Sequence, residues 1–242
     1  MPRFFVETTL SPGTEVDLPK AVAHHATRVL RLRDGAEVAL FNGYGGEYHG
    51  RLSARGSKVV VSLEQHFAVE RESPLPITLV QAWVAADKLD WVVEKAVELG
   101  VARLVIVPAA RSVVRPDQAR SARRAQRLHD ILIAACCQSG RNTVPGVEVA
   151  PTLQNGLRSA LSSGSIGLLL DPQAPTTLID AARGAIALAL VVGPEGGLDD
   201  AERGLAASLG YRAVTLGPRI LRTETAGLAA LAALQAAAGD LG

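Results

Sequence analysis

Two loops carry the residue types on which chemistry can be built. The first, Gly193-Pro194-Glu195-Gly196-Gly197, breaks an apolar run over residues 185–192. The second, Gly217-Pro218-Arg219-Ile220-Leu221-Arg222-Thr223-Glu224, breaks another over residues 212–216. Glycine lets backbone approach a ligand closely, and proline fixes the turn while removing a donor. In open α/β folds ligands sit beyond the carboxyl ends of the strands, where two such loops would lie together. A single Gly-Pro pair reads equally well as an ordinary strand-to-helix turn. Two of them, with Arg219, Arg222 and Glu224 stacked behind the second, read as a site. Loops rich in backbone donors, closing on Leu170, Leu198, Leu216, Ile220 and Leu221, suit a flat, partly apolar ligand of adenosine type.

Other site chemistries are missing. There is no GxxxxGK[ST], no GxGxxG opening a helix after the first strand, no GxSxG elbow and no His/Asp/Glu cluster with metal spacing. The Gly-rich signature of the open-sheet methyltransferases is absent too. Cys136 and Cys137 are adjacent, match no zinc or redox spacing, and read as small buried residues on a helix.

The elements that must position the loops follow from pattern. Over residues 1–72 the sequence gives short strands (3–6, 37–41, 46–52 and 58–63) parted by Asn42-Gly43, Gly45-Gly46 and Arg55-Gly56 turns, with one helical stretch running from His24 to Arg33. A small β-barrel is expected there. The charged, proline-bearing ERESPLP at residues 70–76 marks a boundary, and residues 73–242 then alternate strand and helix. Strands are expected at 77–84, 101–107, 166–170, 185–192 and 212–216, and helices at 87–99, 116–138, 177–183 and 223–238. That alternation implies a mostly parallel sheet covered on both faces.

Composition narrows the class. The chain has 242 residues, 48% of them hydrophobic, and a formal net charge of +1, so a nucleic-acid partner must be met by a local patch. Aromatics at 4% argue against a stacking platform for single strands. Two basic stretches are candidates for the patch: His25, Arg28, Arg31 and Arg33 near the N-terminus, joined by Arg3, and the run from Arg111 to Arg127 that includes Arg115. Each reads either as a solvated helix face or as arginines set against phosphates. MPRFFVETTL has no signal-peptide pattern and no apolar stretch is long enough to span a bilayer, so a cytoplasmic protein with no membrane partner is expected. The Ala/Leu-rich terminal helix permits close packing, within a core or across a dimer.

VVGPEGGLDDAE and LGPRILRTETA resemble the two signature loops of the SPOUT methyltransferases, specifically the 16S rRNA (uracil-N3)-methyltransferase family. The likeness extends to Asp87-Lys88-Leu89-Asp90 with Glu94-Lys95 and Glu98-Leu99-Gly100-Val101, and to Gln138-Ser139-Gly140-Arg141 with Val144-Pro145. His24-His25 and Arg28-Val29-Leu30-Arg31 resemble the family's PUA-like RNA-binding domain. One position departs: Cys137 stands where the family usually has an acidic residue. The resemblance implies a PUA-like β-barrel over residues 1–72 and a SPOUT α/β domain over 73–242, with a parallel sheet and a deep C-terminal trefoil knot. It implies S-adenosyl-L-methionine as cofactor, 16S rRNA or the small ribosomal subunit as substrate, and a homodimer. Cofactor contacts would come from Leu170, Gly193, Pro194, Glu195, Gly197, Leu198, Leu216, Gly217, Ile220 and Leu221.

The chemistry then has definite needs. Uracil N3 carries a proton at neutral pH, so some group must remove it or stabilise the anion. A guanidinium suits the second role, and Arg222 and Arg141 are the candidates. Glu195 or Glu224 could accept the proton, or could instead cap a helix N-terminus. A SPOUT enzyme acting on tRNA and a non-catalytic rRNA-binding assembly factor are the alternative functions.

Overall fold

A computed structural model describes residues 1–56, 58–113 and 118–242, and it falls into two compact units. The first comprises Met1–Glu72 together with Cys136–Val144. Its strands are β1 (Arg3–Phe5), β2 (Glu15–Asp17), β3 (Glu37–Phe41), β4 (Glu47–Arg55) and β5 (Lys58–Phe67), in the order β1-β3-β4-β5-β2. All neighbours are antiparallel except β1 and β3. Alternation along the strands sends Phe4, Val16, Val38, Leu40, Leu52, Val61 and Leu63 into one apolar cluster.

The helical stretch of this unit is shorter than its pattern suggests. Helix α1 covers Lys20–His24, one π-helical turn spans His25–Val29, and the helix stops there. Arg31 has φ +53°, a left-handed conformation that ends a helix, so Arg31 and Arg33 lie in the loop beyond it. The turn is anchored by Ala26, fully buried, while Arg28, Arg31 and Arg33 are exposed.

The second unit comprises Ser73–Ala135 and Pro145–Gly242. Its strands are β6 (Ile77–Ala82), β7 (Arg103–Val107), β8 (Gly146–Val149), β9 (Ile166–Leu170), β10 (Leu188–Val192) and β11 (Arg212–Val214). They form one sheet in the order β11-β9-β10-β6-β7-β8, parallel throughout. Central strands read as near-continuous apolar runs because both faces are covered: LALVV of β10 is buried at every position. The helices are α2 (Ala86–Glu98), α3 (Gln118–Ser139, of which the part up to Ala135 belongs to this unit), α4 (Leu153–Ala160), α5 (Leu178–Ala182), α6 (Asp200–Ser208) and α7 (Thr223–Ala238). Helix α6 opens with a capping box, Asp199 accepting from the Glu202 N–H and Glu202 accepting from that of Asp199.

Strands β2 and β8 and helices α4 and α6 have no counterpart in the sequence expectation. Strand β2 has three residues, β8 is a short edge with a mixed burial pattern, and each helix carries a mid-helix glycine, Gly156 or Gly204. Gly156 is required by packing, since a Cβ there would stand 2.2 Å from a Val107 methyl.

Candidate active site

The order of the sheet sets the two loops beside one cavity. Strand β10 ends at Val192 and runs into Gly193; β11 lies beyond β9 on the same side of the sheet, and the chain after it returns through Ile220–Glu224 to start α7. The cavity holds about 750 Å³ and lies wholly within the second unit. Its walls are Lys88, the segment Leu169–Pro172, the loop Val192–Leu198, Arg203, and Ile220–Glu224 with Ala226.

Of the residues singled out by sequence, Leu170, Gly193, Pro194, Glu195, Gly197, Leu198, Ile220, Leu221, Arg222 and Glu224 line this space. Leu216 and Gly217 do not. The expected apolar floor is also only partly one. Leu198 is buried, whereas Ile220 is 84% exposed and stands as a rim.

The first loop has little freedom. The Gly197 N–H donates to the Pro194 carbonyl at 2.9 Å, and Gly197 itself takes φ +68°, which only glycine adopts at low cost. A Cβ on Gly193 would lie 3.2 Å from the Leu198 nitrogen, so a branched side chain there would push the loop open. Arg111 braces the turn from outside by donating to the Gly196 carbonyl at 3.0 Å.

Charge at the cavity wall is organised by a lysine from the Asp87-Lys88-Leu89-Asp90 run. Lys88, on α2, places its ammonium 3.2 Å from Glu195 Oε1 and 3.6 Å from Glu224 Oε1. The hydrogen bond to Glu195 and the charge of Glu224 outweigh partial desolvation and hold the ammonium above its ordinary value of 10.5. Lys88 is therefore a cation clamping two carboxylates, not a base. Neither glutamate meets Arg222. That residue is exposed at the N-cap position of α7, makes no side-chain cap, and has no ion-pair partner among the described residues.

Arg141 is placed differently from its expected role. It is 3% exposed and forks onto Glu72, with Nε donating to Oε1 at 3.0 Å and Nη2 paired with Oε2. Both residues belong to the first unit, and Arg141 is not a wall of the cavity. Arg3 is likewise committed internally. It pairs with Glu47, donates to Asn142 Oδ1, and lies 5.1 Å above the Phe41 ring. Burial raises the Glu47 carboxyl, but the hydrogen bonds from His49 and Arg3 overcome it and hold that group below 4.5.

Exposed cations of the first unit include some that are paired and some that are not. Arg51, Arg55 and Lys58 are paired with Glu37, Glu15 and Asp17. Arg28, Arg31 and Arg33 have no ion-pair partner among the described residues. In the second unit, Arg124 and Arg127 both pair with Asp90, so that part of the arginine-rich run holds α3 to α2. Arg115 lies outside the described residues. Cys136 is buried, which pushes its thiol up to about 12, and Cys137 shifts the same way for the same reason. The sequence expectation of buried cysteines holds fully for Cys136, while Cys137 is only half-buried. No group of metal-holding side chains and no helix able to cross a membrane occurs among the described residues.

Comparison with known proteins bears on all of this. Residues 71–235 match the model of an RNA methyltransferase domain, and residues 18–64 that of an RNA methyltransferase PUA domain. Ribosomal RNA small subunit methyltransferase E of Mycobacterium bovis is 32% identical over 96% of this chain and 90% of its own. The crystal structure of a ribosomal RNA small subunit methyltransferase E from Neisseria gonorrhoeae, bound to S-adenosyl methionine, is 38% identical. It covers 100% of both chains with a TM-score of 0.92. A putative methyltransferase from Legionella pneumophila, in complex with the same cofactor, is 35% identical, with a TM-score of 0.93 over 99% of this chain and 98% of that one.

Proposed function

This chain belongs to the family of ribosomal RNA small subunit methyltransferases E, with a PUA domain before the methyltransferase domain, and from that premise we propose that it methylates N3 of a uridine in 16S rRNA. It is an S-adenosylmethionine-dependent rRNA methyltransferase. The observation that carries the reading is the cavity walled by the first Gly-Pro loop and by Ile220–Glu224, the part of the second loop that leads into α7. Its volume suits a cofactor of this size, and its walls combine backbone donors with the Leu169, Leu170, Leu198 and Leu221 side chains. Gly193 and Gly197 allow the close backbone approach that an adenosine held by main-chain contacts demands.

The bound cofactor supplies an electrophilic sulfonium methyl. The residues of the chain do the rest. The first loop and Ile220–Leu221 hold the ligand. Arg222 presents an unpaired guanidinium at the cavity wall, suited to two hydrogen bonds with the oxygen of a uracil anion as N3 loses its proton. Glu224 is our candidate acceptor for that proton. Lys88 fixes its orientation together with that of Glu195. Positive charge is disfavoured at a helix N-terminus, so an unpaired arginine at the start of α7 needs a use such as this one.

We divide the chain into an RNA-binding domain over residues 1–72 and a catalytic domain over residues 73–242. The unpaired Arg28, Arg31 and Arg33, with exposed His25, are the surface we assign to RNA phosphates. We further infer a cytoplasmic homodimer and a C-terminal trefoil knot, the last supported by the likeness to the solved structures over the full chain. Nucleoside mass spectrometry of 16S rRNA from a strain lacking the protein tests the function. Loss of 3-methyluridine is expected; its retention would refute the substrate assignment.

A further inference from the structure

We propose that Gln81 and Thr223 form a hydrogen-bonded tie that sets the spacing of the two cofactor loops, making both of them positioning residues for methyl transfer. The inference rests on the cofactor reading of the cavity above.

Gln81 is the single polar side chain in the buried second half of β6, and it is 0% exposed. Its backbone is in register with Val192, the last residue before the first loop. Its amide nitrogen donates to the Ala82 carbonyl at 3.1 Å and to Thr223 Oγ1 at 3.1 Å. Thr223 opens α7 immediately after Arg222 and lines the cavity. Because its hydroxyl accepts from Gln81, its one proton is free to donate, and it does so to the Gly193 carbonyl at 2.6 Å. The sequence of donors has one direction: from sheet, to the start of α7, to the first Gly-Pro loop. It joins three segments far apart in sequence, 30 residues separating Thr223 from Gly193 and 142 separating it from Gln81.

A purely structural role accounts poorly for Gln81. Its Oε1 is buried and has no partner among the described residues, and Gly227, whose Cβ would stand 3.6 Å from that oxygen, offers none. An orphaned acceptor in a core is a liability that an apolar side chain of the same shape would remove. The amide is explained by what its nitrogen does. It orients the Thr223 hydroxyl so that the Gly193 carbonyl is held against α7, and Arg222 then stands at a fixed distance from the loop that binds the cofactor.

Three variants test this: Thr223→Val, which keeps shape and loses the hydroxyl, Gln81→Met, and Thr223→Ser. Cofactor affinity by calorimetry, turnover at saturating cofactor, and the thermal midpoint of the cofactor-free protein are the readouts. Thr223→Val and Gln81→Met are each expected to weaken S-adenosylmethionine binding by about tenfold, with the double variant no worse than the weaker single. Thr223→Ser should bind as the wild type does. The midpoint of Gln81→Met should equal or exceed that of the wild type, since the orphaned oxygen is gone. Wild-type affinity in Thr223→Val would overturn the tie, as would a fall in the Gln81→Met midpoint that accounts for its lost affinity. If Gln81→Met does not fold, Thr223→Val against Thr223→Ser decides. Failure of the wild type itself to bind the cofactor would overturn the cofactor reading and the tie with it.

Discussion

At the scale of single residues, the cavity separates its cations by what they touch. Lys88 is occupied by two carboxylates, Arg203 donates to the Leu198 carbonyl and pairs with Asp200, and Arg222 alone of the three points to no described partner. Replacing Arg222 by Ala should therefore cut the rate of methyl transfer by about a hundredfold, the scale on which loss of one oxyanion donor acts. Single-turnover kinetics at saturating RNA and cofactor measures it, and cofactor affinity should fall far less. An unchanged rate would leave Arg222 without a mechanistic role. The place of Arg222 and both glutamates on the cavity was legible in the sequence because Glu195 lies inside the first loop and the other two end the second. Lys88 as a clamp was not, because its partner Glu195 is 107 residues away and nothing local in α2 announces the pair. Gln81 was hidden for a related reason, as one polar letter inside an apolar run that reads as ordinary strand.

At the scale of elements, strand ends and helix starts were legible, while short, irregular pieces were not. Strand β9 and helix α7 fall where the pattern put them, the strand as a short apolar run that stops at Asp171-Pro172 and the helix as sixteen residues dominated by the strong helix formers Ala and Leu. The N-terminal helix was overextended because Arg31 and Arg33 keep a helical charge pattern after the backbone has turned at φ +53°. Strands β2 and β8 and helices α4 and α6 were missed because strands of three or four residues and short helices containing Gly156 or Gly204 carry a weak signal. Two predictions belong here. Gly193→Val forces the first loop off Leu198 and should weaken S-adenosylmethionine binding by at least tenfold, about 1.4 kcal/mol, in calorimetry. In the first unit, Glu47 is held ionised by Arg3 and His49, with its carboxyl below 4.5 when folded. A depressed carboxyl gives stability that is present above the unfolded value and lost as pH falls through the folded one. Denaturant titrations of wild type and Glu47→Gln should therefore differ most above pH 4.5 and converge at lower pH. Parallel curves throughout would deny the pair that role.

At the scale of the molecule, the two units divide the work implied by the proposed reaction. Reversing Arg28 and Arg31 to Glu should weaken RNA binding and flatten its salt dependence while leaving cofactor affinity unchanged, because phosphate contacts carry the salt-dependent part. Undiminished RNA binding in filter assays would reduce that segment to a solvated surface. The homodimer we infer has its interface narrowed by α7. Leu228, Leu231 and Leu234 are buried within the unit, which leaves the alanine side of the helix, including Ala229, Ala232 and Ala233, to meet a partner. A monomer at micromolar concentration with full activity, by light scattering, would remove the dimer. The central claim is that this cavity delivers a methyl group to uridine N3. Small subunits from a strain lacking the protein, incubated with the purified chain and methyl-labelled S-adenosylmethionine and then digested to nucleosides, test it most directly. The account predicts label in 3-methyluridine from 16S rRNA; label in any other nucleoside, or none at all, would contradict it.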